Sequence, residues 1–406
     1  MLPLIISIPF LHAFGFFGAS LPLVIGALAL AYLFCANRFR LTLHASGKDW
    51  FLLVPLILGM VGLDYSNIQL THFYHSMLWV ATIFIFYFGT KAIVINSKFS
   101  LNDLGGAFFL ALCIASLGVI IDFVAINFYG FYLSDVLPYQ ISEMEATTNF
   151  SGSLFRARGF AAEPGFTAMV YEFLLPLGLL YCFKHRQYLM FIPFIMFSYF
   201  ILTSGASLGG LLVCLAVFVL GLTRKIFFTL GFFIVIGFLF SEQIYSYFDQ
   251  AIGPKILIVL TGDSIRVRLL ESLLPVLLDN PTGVGFGTIS HAFETNGYFG
   301  QHRLVGGGAL NLYLEIALIS GVVGLVSFLV FLVSIFYSSI KLGNRTELVA
   351  LRFSLLWLCI HHAFLTEYYF PMLWVNLALI ATFNYIESRS VNPQGSRFIE
   401  KNKRPR

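Results

Sequence analysis

The chain has 406 residues, 58% of them hydrophobic and only 11% charged, with a formal net charge of +4 and a mean hydropathy of +0.86. A soluble domain carries about a quarter charged residues, so this composition excludes a water-soluble enzyme and indicates an all-α, polytopic membrane protein. The small net charge decides little, because in a membrane protein the placement of charge matters more than its sum.

The N-terminus opens apolar with no basic region ahead of it, so the first run is expected to be a retained span rather than a cleaved signal peptide. Spanning hydrocarbon takes roughly 20 apolar residues as helix. Apolar runs bounded by polar clusters predict about twelve transmembrane helices, near 3–17, 21–36, 50–63, 73–90, 104–126, 164–182, 188–203, 206–222, 226–240, 309–340, 348–366 and 369–386. The first three are short, and the first two could form a hairpin that does not fully cross. The run 309–340 is long for one simple span, and Gly321 and Gly324 inside it predict a bend. Residues 1–387 thus form a single polytopic membrane domain. The basic tail 388–406 reads as disordered and close to anionic lipid. The five cysteines lie in apolar stretches or at their ends, so they read as packing residues and not as a disulfide framework.

Of the 24 Lys and Arg, 18 fall on one side of an alternating topology with both termini cytoplasmic. The reversed topology breaks the positive-inside rule at nearly every loop. The other six are Arg156, Arg158, Lys255, Arg266, Arg268 and Arg303, and all lie in two long extracytoplasmic loops, about 127–163 and 241–308. Basic residues on the translocated side run against the topological bias and need another reason to be there. The first loop ends in R-A-R-G-F-A-A-E-P-G-F-T-A, Arg156 to Ala168, and runs straight into an apolar helix. The first half of the second reads as an amphipathic helix or two, with Arg266, Arg268, Leu269, Leu270, Leu273, Leu274 and Leu277 at helical spacing. It breaks at D-N-P-T-G-V-G-F-G, Asp279 to Gly287, which Pro281 and three alternating glycines remove from helix. Such backbone either approaches a ligand closely or makes a tight turn back to the membrane.

No phosphate-loop motif, D-x-D, H-E-x-x-H or metal-spaced Cys/His pair occurs. His361 and His362 are adjacent, so on a helix they diverge. The expected cofactor and metal content is none, and nothing suggests a nucleic-acid partner. Arginine stays charged and binds phosphate oxygens bidentately. Arg156, Arg158, Arg266, Arg268 and Arg303 are therefore candidates to hold a lipid pyrophosphate, against the plainer alternative of headgroup contact or solvated loop charge. Glycosyl transfer from such a lipid needs the leaving pyrophosphate stabilised and a sugar hydroxyl activated. Glu163 is the first candidate base. Its position before Pro164 also allows a helix-capping role. His302 is the second, because histidine titrates near neutrality. Glu172 falls about 13 Å further along that helix, inside hydrocarbon, where a carboxylate needs a partner. Asn311 and Glu315 are i, i+4 and, with Glu367 and Tyr368 at the last outer turn, are candidates to line a cavity below the loops.

These pieces resemble the bacterial O-antigen polymerase and O-antigen ligase superfamily. The matching stretches are R-A-R-G-F-A-A-E-P-G-F-T-A-M (156–169), T-S-G-A-S-L-G-G-L-L-V (203–213), the R-x-R segment before N-P-T-G-V-G-F-G (266–287) and A-L-N-L-Y-L-E-I-A-L-I-S-G-V-V-G-L (309–325). The resemblance implies a GT-C-like glycosyltransferase in the bacterial inner membrane. It implies undecaprenyl-pyrophosphate-linked oligosaccharides as donor and acceptor, with arginines of the two loops holding the pyrophosphate without metal. Membrane lipid, a chain-length regulator and a flippase are the expected partners. Ligases carry a histidine before the Asn of the last motif; here that place is Leu310. The departure favours a repeat-unit polymerase for O-antigen, capsule or exopolysaccharide over a ligase transferring glycan to lipid A-core. A polytopic transporter or flippase of lipid-linked oligosaccharide is the alternative from another class, although no half-repeat is visible.

Overall fold

The computed structural model describes residues 1–16, 19–37, 45–62, 70–97, 101–137, 149–151, 154–202, 210–212, 214–215, 273–289, 311–341, 345–363 and 370–391. Helix dominates these residues. In chain order the helices are α1 (Leu2–Ser7), α2 (Leu21–Ala36), α3 (Asp49–Val61), α4 (Leu70–Thr82), α5 (Gly89–Ser97), α6 (Leu101–Val124), α7 (Pro164–Lys184), α8 (Ile192–Leu202), α9 (Leu312–Lys341), α10 (Thr346–His361) and α11 (Pro371–Val391). A π-helical turn, Ile83–Phe88, joins α4 to α5, and another, Ala125–Tyr129, extends α6. A single α-helical turn, Leu133–Val136, and a 3-10 segment, Arg186–Phe191, also occur, with two antiparallel ladders of two or three residues, Gly15–Phe16 with Ala19–Ser20 and Asn149–Ser151 with Leu154–Phe155.

Among the described residues, four helical stretches are long and apolar enough to cross a membrane: Ser76–Asn96, Asp103–Tyr129, Pro164–Lys184 and Leu312–Lys341. Shorter apolar helices pack among them, an arrangement in keeping with a helical membrane protein. The apolar runs and the helices coincide closely, with one exception. The run 3–17 is not a single helix. Pro9 cannot donate the next i to i−4 bond, so α1 ends at Ser7, a 3-10 turn follows over Ile8–Phe10, and the chain leaves helix altogether at Gly15. The runs 206–222 and 226–240 lie outside the described residues except at 210–212 and 214–215.

The core forms where α6, α7 and α10 meet. Phe108 of α6 packs on Phe173 of α7 at 4.7 Å between ring centroids. Tyr171 spans three helices, its hydroxyl bonding Ser116 of α6 at 3.0 Å and Ser198 of α8 at 2.7 Å. Between apolar helices in lipid such bonds are worth about 0.6 kcal/mol each. They select one register more than they stabilise.

The expected bend in 309–340 is a true break. Gly321 has φ 71° and ψ −175° in the middle of α9, a left-handed value that a side chain opposes. The glycine-rich segment after Pro281 fills the break. Val284 donates to the carbonyl of Leu318 at 2.8 Å and Gly285 to that of Ile319 at 3.0 Å, while Val322 donates to Pro281 at 3.0 Å. Phe286 donates to Gly59 of α3 at 3.0 Å, so the same segment ties α3 to α9. Every backbone group freed in an apolar interior must find a partner. Here the glycines permit backbone to lie against backbone. A Cβ on Gly283 would stand 2.5 Å from the nitrogen of Gly321, and one on Gly321 would stand 2.4 Å from the carbonyl oxygen of Pro281.

Basic residues gather at one end of the bundle. Lys91 of α5 pairs with Asp49 of α3 at 2.7 Å, and the Tyr87 hydroxyl donates to the same carboxylate at 2.6 Å. Lys48 donates to the carbonyl of Ser334 and the hydroxyl of Ser338 late in α9. Arg352 of α10 bonds Ser339, and Lys184 at the end of α7 pairs with Glu347 at the start of α10. The arginine-bearing loop lies at the other end of α7.

Candidate active site

The segment from Phe155 to Glu163 is held from below by the last turns of α6. Asn127 makes two bonds to Phe155, its amide oxygen accepting the Phe155 N–H at 2.7 Å and its amide nitrogen donating to the Phe155 carbonyl at 3.0 Å. One turn earlier, Asp122 is 1% exposed. Its carboxylate accepts the N–H of Arg158 at 2.6 Å, of Gly159 at 3.1 Å and of Leu133 at 3.2 Å. Both ends of the first loop therefore close on one carboxylate. Gly159 is left-handed, φ 62°, and adjacent N–H groups in such a turn make an anion-binding concavity. The ring of Phe160 fills a notch that only a glycine at 118 leaves open, since a Cβ there would stand 2.3 Å from the ring. Phe10 stacks on the same ring at 4.7 Å.

The N-terminal segment also reaches this loop. His12 is 4% exposed and its Nδ1 accepts the N–H of Ala162 at 3.3 Å. The imidazole packs against Phe166 and Phe370, each at 5.5 Å. An acceptor at Nδ1 means that this nitrogen carries no proton in the arrangement described.

Arg158 and Glu163 then flank the mouth of α7. The Arg158 guanidinium stacks on Tyr132 at 4.5 Å, and its Nη1 reaches the carbonyl of Ala162 at 3.5 Å. Thr167 donates its hydroxyl to the Arg158 carbonyl. Glu163 occupies the N-cap position with φ −134° and ψ 152°, and Pro164 follows at the first helical position. Its side chain makes no capping hydrogen bond; the helix start is served instead by its carbonyl, which accepts from Phe166 and Thr167 at 3.2 and 3.4 Å. The Glu163 carboxylate is thus half-exposed at the positive end of a helix without being used as its cap. Arg156 is half-buried two residues before Arg158.

Deeper in the bundle, Glu172 is fully buried and meets His361 of α10, Oε1 to Nδ1, at 2.5 Å. The turn that follows His361 binds the start of α9: Leu312 donates to the carbonyl of His362 at 2.9 Å, and the Asn311 amide nitrogen donates to that of Ala363 at 2.9 Å. The Asn311 side-chain oxygen accepts the N–H groups of Tyr313 and Leu314 at 3.0 and 3.1 Å. Asn311 therefore caps α9. Glu315 is 4% exposed one turn later. The structure places Arg156, Arg158 and Glu163 on one loop whose backbone is anchored by Asn127, Asp122 and His12. It brings Glu172, the His361–Ala363 turn, Asn311 and Glu315 together around the ends of α9 and α10. Arg266, Arg268, His302, Arg303 and Glu367 lie outside the described residues.

Sequence reasoning passed over Asp122, Asn127 and His12. The signal was present for two of them: a lone carboxylate in G-V-I-I-D-F-V and a lone histidine in P-F-L-H-A-F are costly in apolar surroundings unless partnered. Hydropathy places Asp122 simply within the apolar run 104–126. Among the described residues no group of three or more His, Cys, Asp or Glu is placed to hold a metal ion. Comparison with family models and with curated proteins gives no match for this chain.

Proposed function

We propose that this chain is a membrane glycosyltransferase, GT-C-like with about twelve transmembrane helices, that polymerises undecaprenyl-pyrophosphate-linked oligosaccharide repeat units on the outer side of a bacterial inner membrane. The observation that carries the reading is the loop Arg156–Glu163: two arginines and a carboxylate on anchored backbone at the mouth of an apolar helix. A pyrophosphate lipid would bring its anion to that depth, where arginine donors strengthen as charge develops on the leaving group. In the reaction the bond between the donor sugar C1 and the pyrophosphate oxygen breaks, its electron pair staying on that oxygen. A new bond forms from C1 to the acceptor hydroxyl oxygen, and the hydroxyl proton passes to a base. Glu163 is the base in this reading, with His302 the second choice. Arg156, Arg158, Arg266, Arg268 and Arg303 are the pyrophosphate ligands, and Asn311, Glu315 and Glu367 belong to the cavity wall. The Leu310 position keeps ligase chemistry behind polymerase chemistry.

Arginine-to-alanine changes at 156, 158, 266 and 268, and Glu163→Gln, are expected to abolish long-chain polysaccharide in cells while the protein still reaches the membrane. Unchanged chain length in these variants would sink the reading.

A second reading, transport or flipping of a lipid-linked oligosaccharide, draws on the broken helix at Gly321 and on the buried Glu172–His361 pair, both of which occur in transporters. The two readings separate by product: loss of a polymerase leaves single repeat units outside, and loss of a flippase leaves them inside.

A further inference from the structure

We propose that Asp122 and His12 are positioning residues of this site, clamping the backbone of Arg158–Ala162 at two points and so fixing where Arg158 and Glu163 stand. The role of those two side chains rests on the glycosyl-transfer reading; the clamp itself does not.

Each clamp residue is a polar group in an apolar stretch, and each spends its polarity on this loop. The Asp122 carboxylate, 1% exposed, takes the consecutive N–H groups of Arg158 and Gly159. His12, 4% exposed and carried by the N-terminal segment, takes the N–H of Ala162 through Nδ1. Between them Phe160 is lodged in the Gly118 notch against Phe10. Apolar packing by Phe160 alone would anchor the loop to the bundle. Burying a carboxylate is costly unless it is well hydrogen-bonded, and it adds something packing lacks, namely a direction for each N–H. Only backbone atoms are gripped at Gly159 and Ala162, so the clamp sets the positions of the flanking side chains without occupying them. Groups that act on a reacting centre must be held to within about 0.5 Å, and a misplacement of about 1 Å can cost about a hundredfold in rate.

The test compares three variants of the full chain, purified in detergent. His12→Leu removes the acceptor and keeps similar bulk. His12→Asn keeps an acceptor near the place of Nδ1. Asp122→Leu removes the carboxylate oxygen, Oδ2, that accepts the N–H groups of both Arg158 and Gly159. Trypsin cleavage after Arg156 and Arg158, identified by fragment mass, reads release of the loop. Cleavage is expected to quicken about fivefold to tenfold in His12→Leu and Asp122→Leu, the population shift that follows loss of a buried hydrogen bond. His12→Asn should stay near wild type. Binding of undecaprenyl pyrophosphate, and long-chain polysaccharide in cells carrying each variant, should fall in the same order. Equal cleavage of His12→Leu and His12→Asn overturns the clamp, whatever the polysaccharide does. If cleavage follows the expected order while undecaprenyl pyrophosphate fails to bind wild type and polymer length is unaffected, the clamp stands and the glycosyl-transfer reading falls.

Discussion

Glu172 and His361 stand 2.5 Å apart, Oε1 to Nδ1, and are brought together from positions 189 residues apart in the chain. Neither side chain is more than 1% exposed. The pair joins α7 to α10 just where the turn after His361 holds the start of α9. Its partnership answers the demand that a carboxylate inside an apolar helix makes on its surroundings. Removing one partner strands the other in the interior, a loss of about 3 kcal/mol; removing both leaves no stranded group. Glu172→Leu and His361→Leu combined are expected to destabilise the protein less than the sum of the two single changes. The coupling should be about 1–3 kcal/mol, measured by denaturant unfolding in detergent. Strict additivity would show that the two side chains do not depend on each other.

The break at Gly321 makes a sharper demand. Alanine there must adopt φ 71° and place its Cβ 2.4 Å from the Pro281 carbonyl oxygen. At Gly283, φ 87°, the Cβ meets the backbone of Gly321 and Ile319 at 2.5 and 2.6 Å. Backbone on both sides cannot swing away. Gly321→Ala and Gly283→Ala should each cost more than about 2 kcal/mol and sharply lower the yield of folded protein. Gly106→Ala is the control, because its nearest neighbour is a Tyr181 side-chain atom at 3.5 Å. Equal melting temperatures for Gly321→Ala and Gly106→Ala would mean that the broken helix can be repaired without its glycine.

At the basic end, the Lys184–Glu347 pair is accessible, with the lysine side chain 37% exposed. Partial burial works against the charge of Glu347. The Lys184 hydrogen bond, the helix N–H and the nearby positive charge outweigh it and hold the carboxyl below its ordinary value of 4.5. A depressed folded-state value means that the pair's stability is present above the ordinary glutamate range and is lost as pH falls through the folded value. Screening limits it to at most about 0.5 kcal/mol. Glu347→Gln should therefore melt slightly lower than wild type at neutral pH, and the two curves should converge once pH has fallen through the folded-state value, which lies below 4.5. A gap that widens on acidification would contradict this assignment.

Much of the helical layout was legible in the chain. Apolar run length reports helix directly when the solvent is hydrocarbon, because no backbone group can be left to water. That is why 164–182 and Pro164–Lys184 nearly coincide. The run 3–17 failed because hydropathy is blind to the missing N–H of Pro9. The bend near Gly321 was foreseeable from composition. That the Pro281–Phe286 segment would fill it was not, because a glycine next to backbone and a glycine next to a ligand look the same in sequence. The site was half legible. The clustering of basic residues in two segments expected on the translocated side pointed to Arg156 and Arg158, with Glu163 as their neighbour. Asp122 and His12, each a lone polar residue in an apolar run, revealed nothing about which backbone they would hold.

The sequence by itself determined that this is an apolar helical protein, that most of the described apolar runs other than 3–17 are helical, and that six of its basic residues concentrate in two segments, 127–163 and 241–308. Those properties follow from composition and local spacing, which act along the chain. Only the tertiary structure decided that Glu163 stands at a helix mouth without capping it and that Asn311 is spent as a cap. It alone gave Glu172 His361 as its partner and closed the arginine loop on a single buried carboxylate. Each of those outcomes depends on which buried polar group meets which orphaned N–H or carbonyl across helices far apart in sequence, and that pairing is settled by packing.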